Sequence, residues 1–137
     1  KGKVKAFQRK YHQTEKWKAQ NRYRLRMRRA TLTFKVEDAA RRVKKEFGIE
    51  AVFTLNEWLR VIEAFSGGCA YCGEVVEKVQ LEHVDALTKG GKHEVGNVVP
   101  ACRPCNQSKG TLSVEDFAKK QPTFDPAVVR ATASLKN

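Results

Sequence analysis

The chain has 137 residues, 31% of them charged, with a net charge of +12 and an isoelectric point near 9.8. That length fits one domain with little left for a second, and 41% hydrophobic residues suffice for a modest core, which argues against wholesale disorder. The sign of the charge favours a polyanionic partner, and no stretch approaches the roughly 18 apolar residues of a membrane-spanning helix.

No apolar run follows the basic N-terminus, so no secretion signal is expected, and Lys1 as first residue reads as a processed or truncated chain. The charge is concentrated. Residues 1–30 carry twelve Lys/Arg and one acid, Glu15, so this arm holds +11 of the +12 and the remaining residues hold +1. Phe7, Tyr11, Trp17 and Tyr23 interleave with the cations, and neither Gly nor Pro interrupts residues 3–29. A helix is therefore permitted, exposed or ordering on its partner. Lys10, Lys16, Lys18, Arg22, Arg24, Arg26, Arg28 and Arg29 are its expected phosphate contacts, binding by counterion release.

Further along, Val36, Ala39, Ala40, Val43 and Phe47 share a helix face over 36–47, and Gly48 is its stop. Thr54 to Glu57 spells a capping box. It opens a helix whose apolar face is Leu55, Trp58, Leu59, Ile62 and Phe65, ended by Gly67 and Gly68. At that spacing Trp58 is a core residue. Residues 79–84 have strand character, 85–96 read as a loop, and Val98 and Val99 begin a second short strand ended by Pro100. A two-turn helix is expected from Arg103 to Lys109, a second from Ser113 through Lys120, and a last one from the Asp125-Pro126 cap to about Ser134.

The centre of the chain carries the chemistry. Cys69-Ala70-Tyr71-Cys72 and Cys102-Arg103-Pro104-Cys105 are paired thiols about 30 residues apart, which in a chain without a secretion signal reads as a zinc clamp in a reducing cytosol. Between them lie Glu82-His83, Lys89-Gly90-Gly91 and Asn97. Cys105 is bonded directly to Asn106, so a metal-tied backbone fixes where that amide points. Neutral imidazole near pH 7 suits a general base. His93 and His12 read as incidental, the first in an exposed loop and the second in the arm.

Taken together, Cys69/Cys72, Glu82-His83, Lys89-Gly90-Gly91, Asn97, Cys102/Cys105-Asn106 and Lys109-Gly110 resemble the HNH endonuclease family in its four-cysteine form. The likeness covers residues 69–110, and the basic arm resembles those of small phage and prophage HNH proteins. It implies an α+β, mostly helical fold with a ββα-metal core and structural zinc knuckle, flanking helices and a basic helical arm. The segments would be an arm at 1–30, a helical lead at 31–68, the core at 69–112 and C-terminal helices at 113–137.

By the same likeness His83 is the general base, Glu82 and Asn106 hold a catalytic Mg2+ or Mn2+, and Asn97 ties the loop together. Arg103 and Lys109 would join the arm on DNA phosphates. The implied reaction hydrolyses DNA to 5′-phosphate and 3′-hydroxyl ends in a bacterial cytoplasm, with no membrane and no small-molecule cofactor. A phage or host protein partner is left open. Three departures stand out. Glu82 replaces the usual Asp, Ala86 stands where a Pro is usual, and Asn106 makes the site an H-N-N variant. The alternatives are a zinc-stabilised DNA-binding module without catalysis and an assembly protein of a phage particle. If six arm cations reach phosphates, the log of DNA affinity falls against log salt concentration with a slope of about −5. A fluorescent-duplex titration across salt checks this, and a slope near zero reduces the arm to a solubilising tail.

Overall fold

The computed structural model describes residues 15, 28, 35–76 and 78–135. Two compact units divide the chain, Lys1–Glu37 and Asp38–Asn137. Within the described residues no helix is long and apolar enough to cross a membrane.

The first helix, α1, covers residues 35–47 and buries Val36, Ala39 and Val43. Gly48 stops it at φ +69°, where its N–H reaches the Lys44 carbonyl at 2.9 Å. Phe47 departs from the expected core face and is 37% exposed. It is the last helical residue, and the chain turns away before the stripe gains another turn. Helix α2, Leu55–Ala64, starts on the expected capping box: Thr54 Oγ1 accepts from the Glu57 N–H at 3.3 Å and Glu57 Oε2 accepts from the Thr54 N–H at 2.6 Å. Such caps are worth about 1 kcal/mol. Trp58, Val61 and Ile62 are buried, as the spacing of Trp58 and Ile62 requires.

After α2 the chain makes the first thiol knuckle. Gly68 bridges to Val75, and the Cys69 N–H donates to the Glu74 carbonyl at 2.9 Å, which closes the turn around Cys69–Cys72. Strand β1, Gln80–His83, then pairs antiparallel with β2, Val98–Ala101, in the register Gln80 to Ala101, Leu81 to Pro100, Glu82 to Val99 and His83 to Val98. Both strands are four residues long. Pro100 does not end β2. It sits inside the strand opposite Leu81, and its carbonyl accepts the Ala70 N–H at 2.8 Å. A proline fits there because its missing N–H falls on an edge of a two-stranded sheet.

Cys102, in extended conformation, caps helix α3, Arg103–Lys109, directly after β2. Helix α4, Val114–Lys120, is capped by Ser113 Oγ, and α5, Pro126–Ala133, by Asp125 Oδ1. The fold is therefore α+β, with a small sheet among helices and a strand–loop–strand–helix centre. Val84, Val99, Ala101, Val114, Phe117, Val129 and Ala133 form one core with the Cys69–Tyr71 knuckle, Cys102 and Cys105. Tyr71 meets Phe117 edge-on at 5.2 Å and Phe124 at 5.0 Å. The knuckle is thus part of the core, not an appendage.

Arg130 on α5 ties the loop after β1 to α4. Its Nη1 and Nη2 donate to the two Asp85 oxygens at 3.0 Å each, and its Nε and Nη2 to Glu115 at 2.9 and 3.1 Å. Hydrogen bonds from Arg130 hold both carboxyls below their ordinary pKa. All three side chains are more than a third exposed, so solvent screening limits each pair to about 1 kcal/mol or less. For carboxyls depressed on folding, the stabilisation is full above their unfolded pKa and disappears as pH falls through the folded one. Arg130→Met is expected to lower the melting temperature at pH 7, and the gap from the parent should close below about pH 4. Thermal melts of both proteins across pH check this; a gap that persists in acid would point to lost packing instead.

Candidate catalytic and metal site

The four cysteine sulfurs lie within 4.8 Å of one another. They are free thiols, and Cys72 and Cys102 Sγ stand 3.8 Å apart. That is far beyond a disulfide bond of about 2.05 Å, and it matches the edge of a thiolate tetrahedron around an ion at about 2.3 Å. Burial, then the neighbouring sulfurs, push the Cys105 thiol up to about 12, although the Gln121 amide pulls the other way. Thiols crowded this closely ionise together only around a cation. The Tyr71 N–H donates to Cys69 Sγ at 3.4 Å and Gln121 Nε2 to Cys105 Sγ at 3.3 Å, so protein donors are already aimed at the sulfurs. The donor set fits structural zinc.

From this clamp a buried polar chain runs to the centre of β1. Tyr71, inside the first thiol pair, donates its hydroxyl to Glu82 Oε2. Lys109 Nζ donates to Glu82 Oε1 and to the His83 carbonyl, each at 3.0 Å. The Glu82 and Lys109 side chains are 4% and 0% exposed. Burial raises the Glu82 pKa, and Lys109 and the Tyr71 hydroxyl pull it back. Burial also raises that of Tyr71, so its phenol stays a donor. This corrects the expectation that Lys109 contacts phosphates. Its ammonium turns inward because Glu82, buried two residues from the strand's start, requires a counter-charge. Arg103, by contrast, is exposed at the start of α3, and Arg28 is exposed as well. The other expected phosphate contacts, Lys10, Lys16, Lys18, Arg22, Arg24, Arg26 and Arg29, lie outside the described residues, as do His12 and the expected helix of the arm.

Strand alternation places Gln80 and Glu82 on one face of β1, and both meet α3. Asn106 Nδ2 donates to Gln80 Oε1 at 2.7 Å, and the Asn106 N–H reaches the Cys102 carbonyl at 3.0 Å. With Nδ2 committed to Gln80, Oδ1 is the end of the carboxamide that suits a cation. Gln80 was not singled out from the sequence; its place two residues before Glu82 is the signal that was there to use.

His83 takes the other direction. Its Nε2 lies 2.8 Å from His93 Nδ1, with the rings 5.1 Å apart between centroids. Burial first, then the charges of His93 and Lys109, hold its pKa down to about 4, so the ring is neutral at pH 7. His93, expected in an exposed loop, has 0% exposure and packs on Phe53 at 4.7 Å. Nothing in the sequence of that loop marks it as interior, because the partner surface comes from residues 40 positions earlier. Its Nε2 is buried without a hydrogen-bond partner among the described residues, a condition that costs about 1–3 kcal/mol.

Asn97 holds the intervening loop shut. Its Oδ1 accepts the Asp85 N–H at 2.8 Å, and Nδ2 donates to the Asp85 and Lys92 carbonyls at 3.0 and 2.7 Å. The same closure explains Lys89-Gly90-Gly91. Gly90 lies at φ +86°, and a Cβ on Gly91 would sit 1.9 Å from the Asp85 carbonyl oxygen. A side chain at Gly91 would therefore force the loop open, while at Gly90 the left-handed backbone favours glycine although the space is free.

Two short strands and a helix, strapped by a four-cysteine cluster, have the architecture of a ββα-metal fold. Residues 69–112 match the model of the HNH endonuclease family. Among named proteins the chain resembles YoqL of Bacillus subtilis (strain 168), whose name places it in the SPbeta prophage and among HNH endonucleases. The two are 28% identical over 44% of this chain and 31% of that protein. It also resembles the CRISPR-associated endonuclease Cas9 of Actinomyces naeslundii, 27% identical over 61% of this chain and 8% of the relative. A third likeness is to uncharacterized protein R423 of Acanthamoeba polyphaga mimivirus, 32% identical over 53% of this chain and 13% of that one. The chain spans less than a third of each relative's length.

Removing one partner of the buried ion pair leaves the other charge unsatisfied. Lys109→Met is expected to destabilise the protein by about 3–5 kcal/mol, whereas Lys109→Met with Glu82→Gln should recover part of that loss. Urea denaturation of the singles and the double measures the coupling; simple additivity would show that the two groups do not sense one another.

Proposed function

We propose that this chain is a metal-dependent DNA endonuclease, hydrolysing phosphodiesters through water activated by His83 and leaving 5′-phosphate and 3′-hydroxyl ends. The observation that carries this reading is the neutral, half-buried His83 at the end of β1, inside a segment that matches the HNH family and that also brings Glu82 and Asn106 to the β1–α3 face.

A divalent ion such as Mg2+ or Mn2+, when bound, would polarise the phosphate and stabilise the departing 3′ oxygen. Asn106 Oδ1 and the Glu82 carboxylate are the oxygen donors suited to hold it. A carboxylate has roughly four lone-pair sites, so its bonds to Tyr71 and Lys109 leave acceptor capacity. His83 takes the proton of the attacking water, and the water oxygen bonds to phosphorus as the bond to the 3′ oxygen breaks. Asn97 keeps the loop after β1 in place, and the strand backbone at His83 is held by Lys109. Arg28, Arg103 and the cations at residues 10–29 supply phosphate contacts, which position the duplex without reading its sequence. Domain limits of 1–30, 31–68, 69–112 and 113–137 follow from this division of labour. The likeness to YoqL supports a phage or prophage origin and action in a bacterial cytoplasm.

The burial of Glu82 against Lys109 favours a second reading, a zinc-stabilised DNA-binding module that does not cleave. The two are separated by plasmid nicking in Mg2+ or Mn2+. The parent is expected to nick supercoiled DNA, and His83→Ala is expected to lose at least about 100-fold of the rate while zinc content and DNA affinity persist. Binding without nicking in either ion would establish the second reading. Undiminished cleavage by His83→Ala would remove His83 from the mechanism.

A further inference from the structure

The His93 ring is fully buried, carries the unpartnered nitrogen noted above, and yet touches the proposed base at 2.8 Å. Its backbone is anchored too: the His93 carbonyl accepts the Val52 N–H at 3.2 Å, and the ring lies against Phe53. A histidine placed only to fill space would waste a buried polar atom that Phe or Leu would avoid, and such an orphan calls for an explanation.

Proton counting supplies one. A neutral imidazole has one N–H and one bare nitrogen. The contact between His83 Nε2 and His93 Nδ1 therefore has two arrangements. If His93 Nδ1 donates, the bare nitrogen of His83 faces His93, its other nitrogen carries the proton, and the ring cannot take a proton from water. If His83 Nε2 donates, His83 Nδ1 is left bare and pointing away from His93, and the orphaned atom becomes the His93 Nε2–H. Only the second arrangement leaves a working base.

We infer that His93 is a positioning residue for His83. Its Nδ1 accepts the His83 Nε2–H, which fixes both the ring plane and the tautomer, so that His83 Nδ1 is the atom that accepts the proton of the attacking water. The inference rests on the reading of His83 as general base, but it makes a claim about proton location that can be read without any cleavage.

The experiment uses the full chain with zinc bound and 15N-labelled histidine rings. At mildly alkaline pH, long-range proton–nitrogen spectra of the parent are expected to show His83 protonated on Nε2 and bare on Nδ1. In His93→Phe that pattern should collapse to a mixture of tautomers, and kcat for plasmid nicking should fall by about 100-fold with KM for DNA unchanged. His93→Asn, whose side-chain oxygen can accept the same N–H, should keep the Nε2–H signature and recover most of kcat. A parent His83 protonated on Nδ1 overturns the inference, and so does an unchanged kcat in a folded His93→Phe. Where His93→Phe fails to fold, the parent spectrum and the His93→Asn rate decide. Loss of the base assignment shows separately, as cleavage surviving His83→Ala, and leaves the spectral claim about the pair standing or falling by itself.

Discussion

Tyr71 has one side in the thiol knuckle and the other on strand β1, and most of the structure depends on that double attachment. Its neighbours Cys69 and Cys72 belong to the clamp, its ring sits between Phe117 and Phe124, and its hydroxyl ends on Glu82. Two four-residue strands have too little surface to hold themselves in register. Here the register is set from outside, by a core that includes three of the four cysteines and by a carboxylate gripped from two directions. The zinc-type clamp and the site are consequently one mechanical unit. Hydrogen bonds from Tyr71 and Lys109 to Glu82, and from Lys109 to the His83 carbonyl, link the knuckle to β1.

That arrangement places an uncommon object in a small core, a buried Glu–Lys pair. Apolar residues of similar size often stabilise as well or better than such a pair, so stability alone does not account for it. Lys109 also grips the His83 carbonyl, which couples the charge to the exact stretch of backbone from which the proposed base departs. The pair reads as a device for aligning strand and helix. Its position beside Asn106, one turn earlier on α3, means that the same alignment sets the carboxamide.

The elements were largely legible in the sequence, because each is announced locally. Thr54 with Glu57, Ser113, Asp125-Pro126 and Gly48 mark helix ends by chemistry that acts over three or four residues, and the cysteine pairs mark the clamp by spacing. What escaped has a common cause. The inward turn of Lys109, the burial of His93 and the reach of Gln80 to Asn106 all depend on partners 26 to 40 positions away. No periodicity within a short window carries that information. Phe47 failed for the opposite reason: the helical stripe was real, but the helix ran out one residue too soon for it to be covered. Pro100 was misread because its usual meaning as a strand terminator assumes a neighbour that needs its N–H, and this sheet has none on that side.

That same proline gives the sheet a built-in limit. Small proteins with bare strand edges tend to stack through them into fibrils. Along β2, the outward carbonyl of Pro100 is already taken by Ala70, and its nitrogen has no hydrogen to offer an incoming strand. At this position an incoming strand finds neither a backbone N–H nor a free carbonyl to pair with.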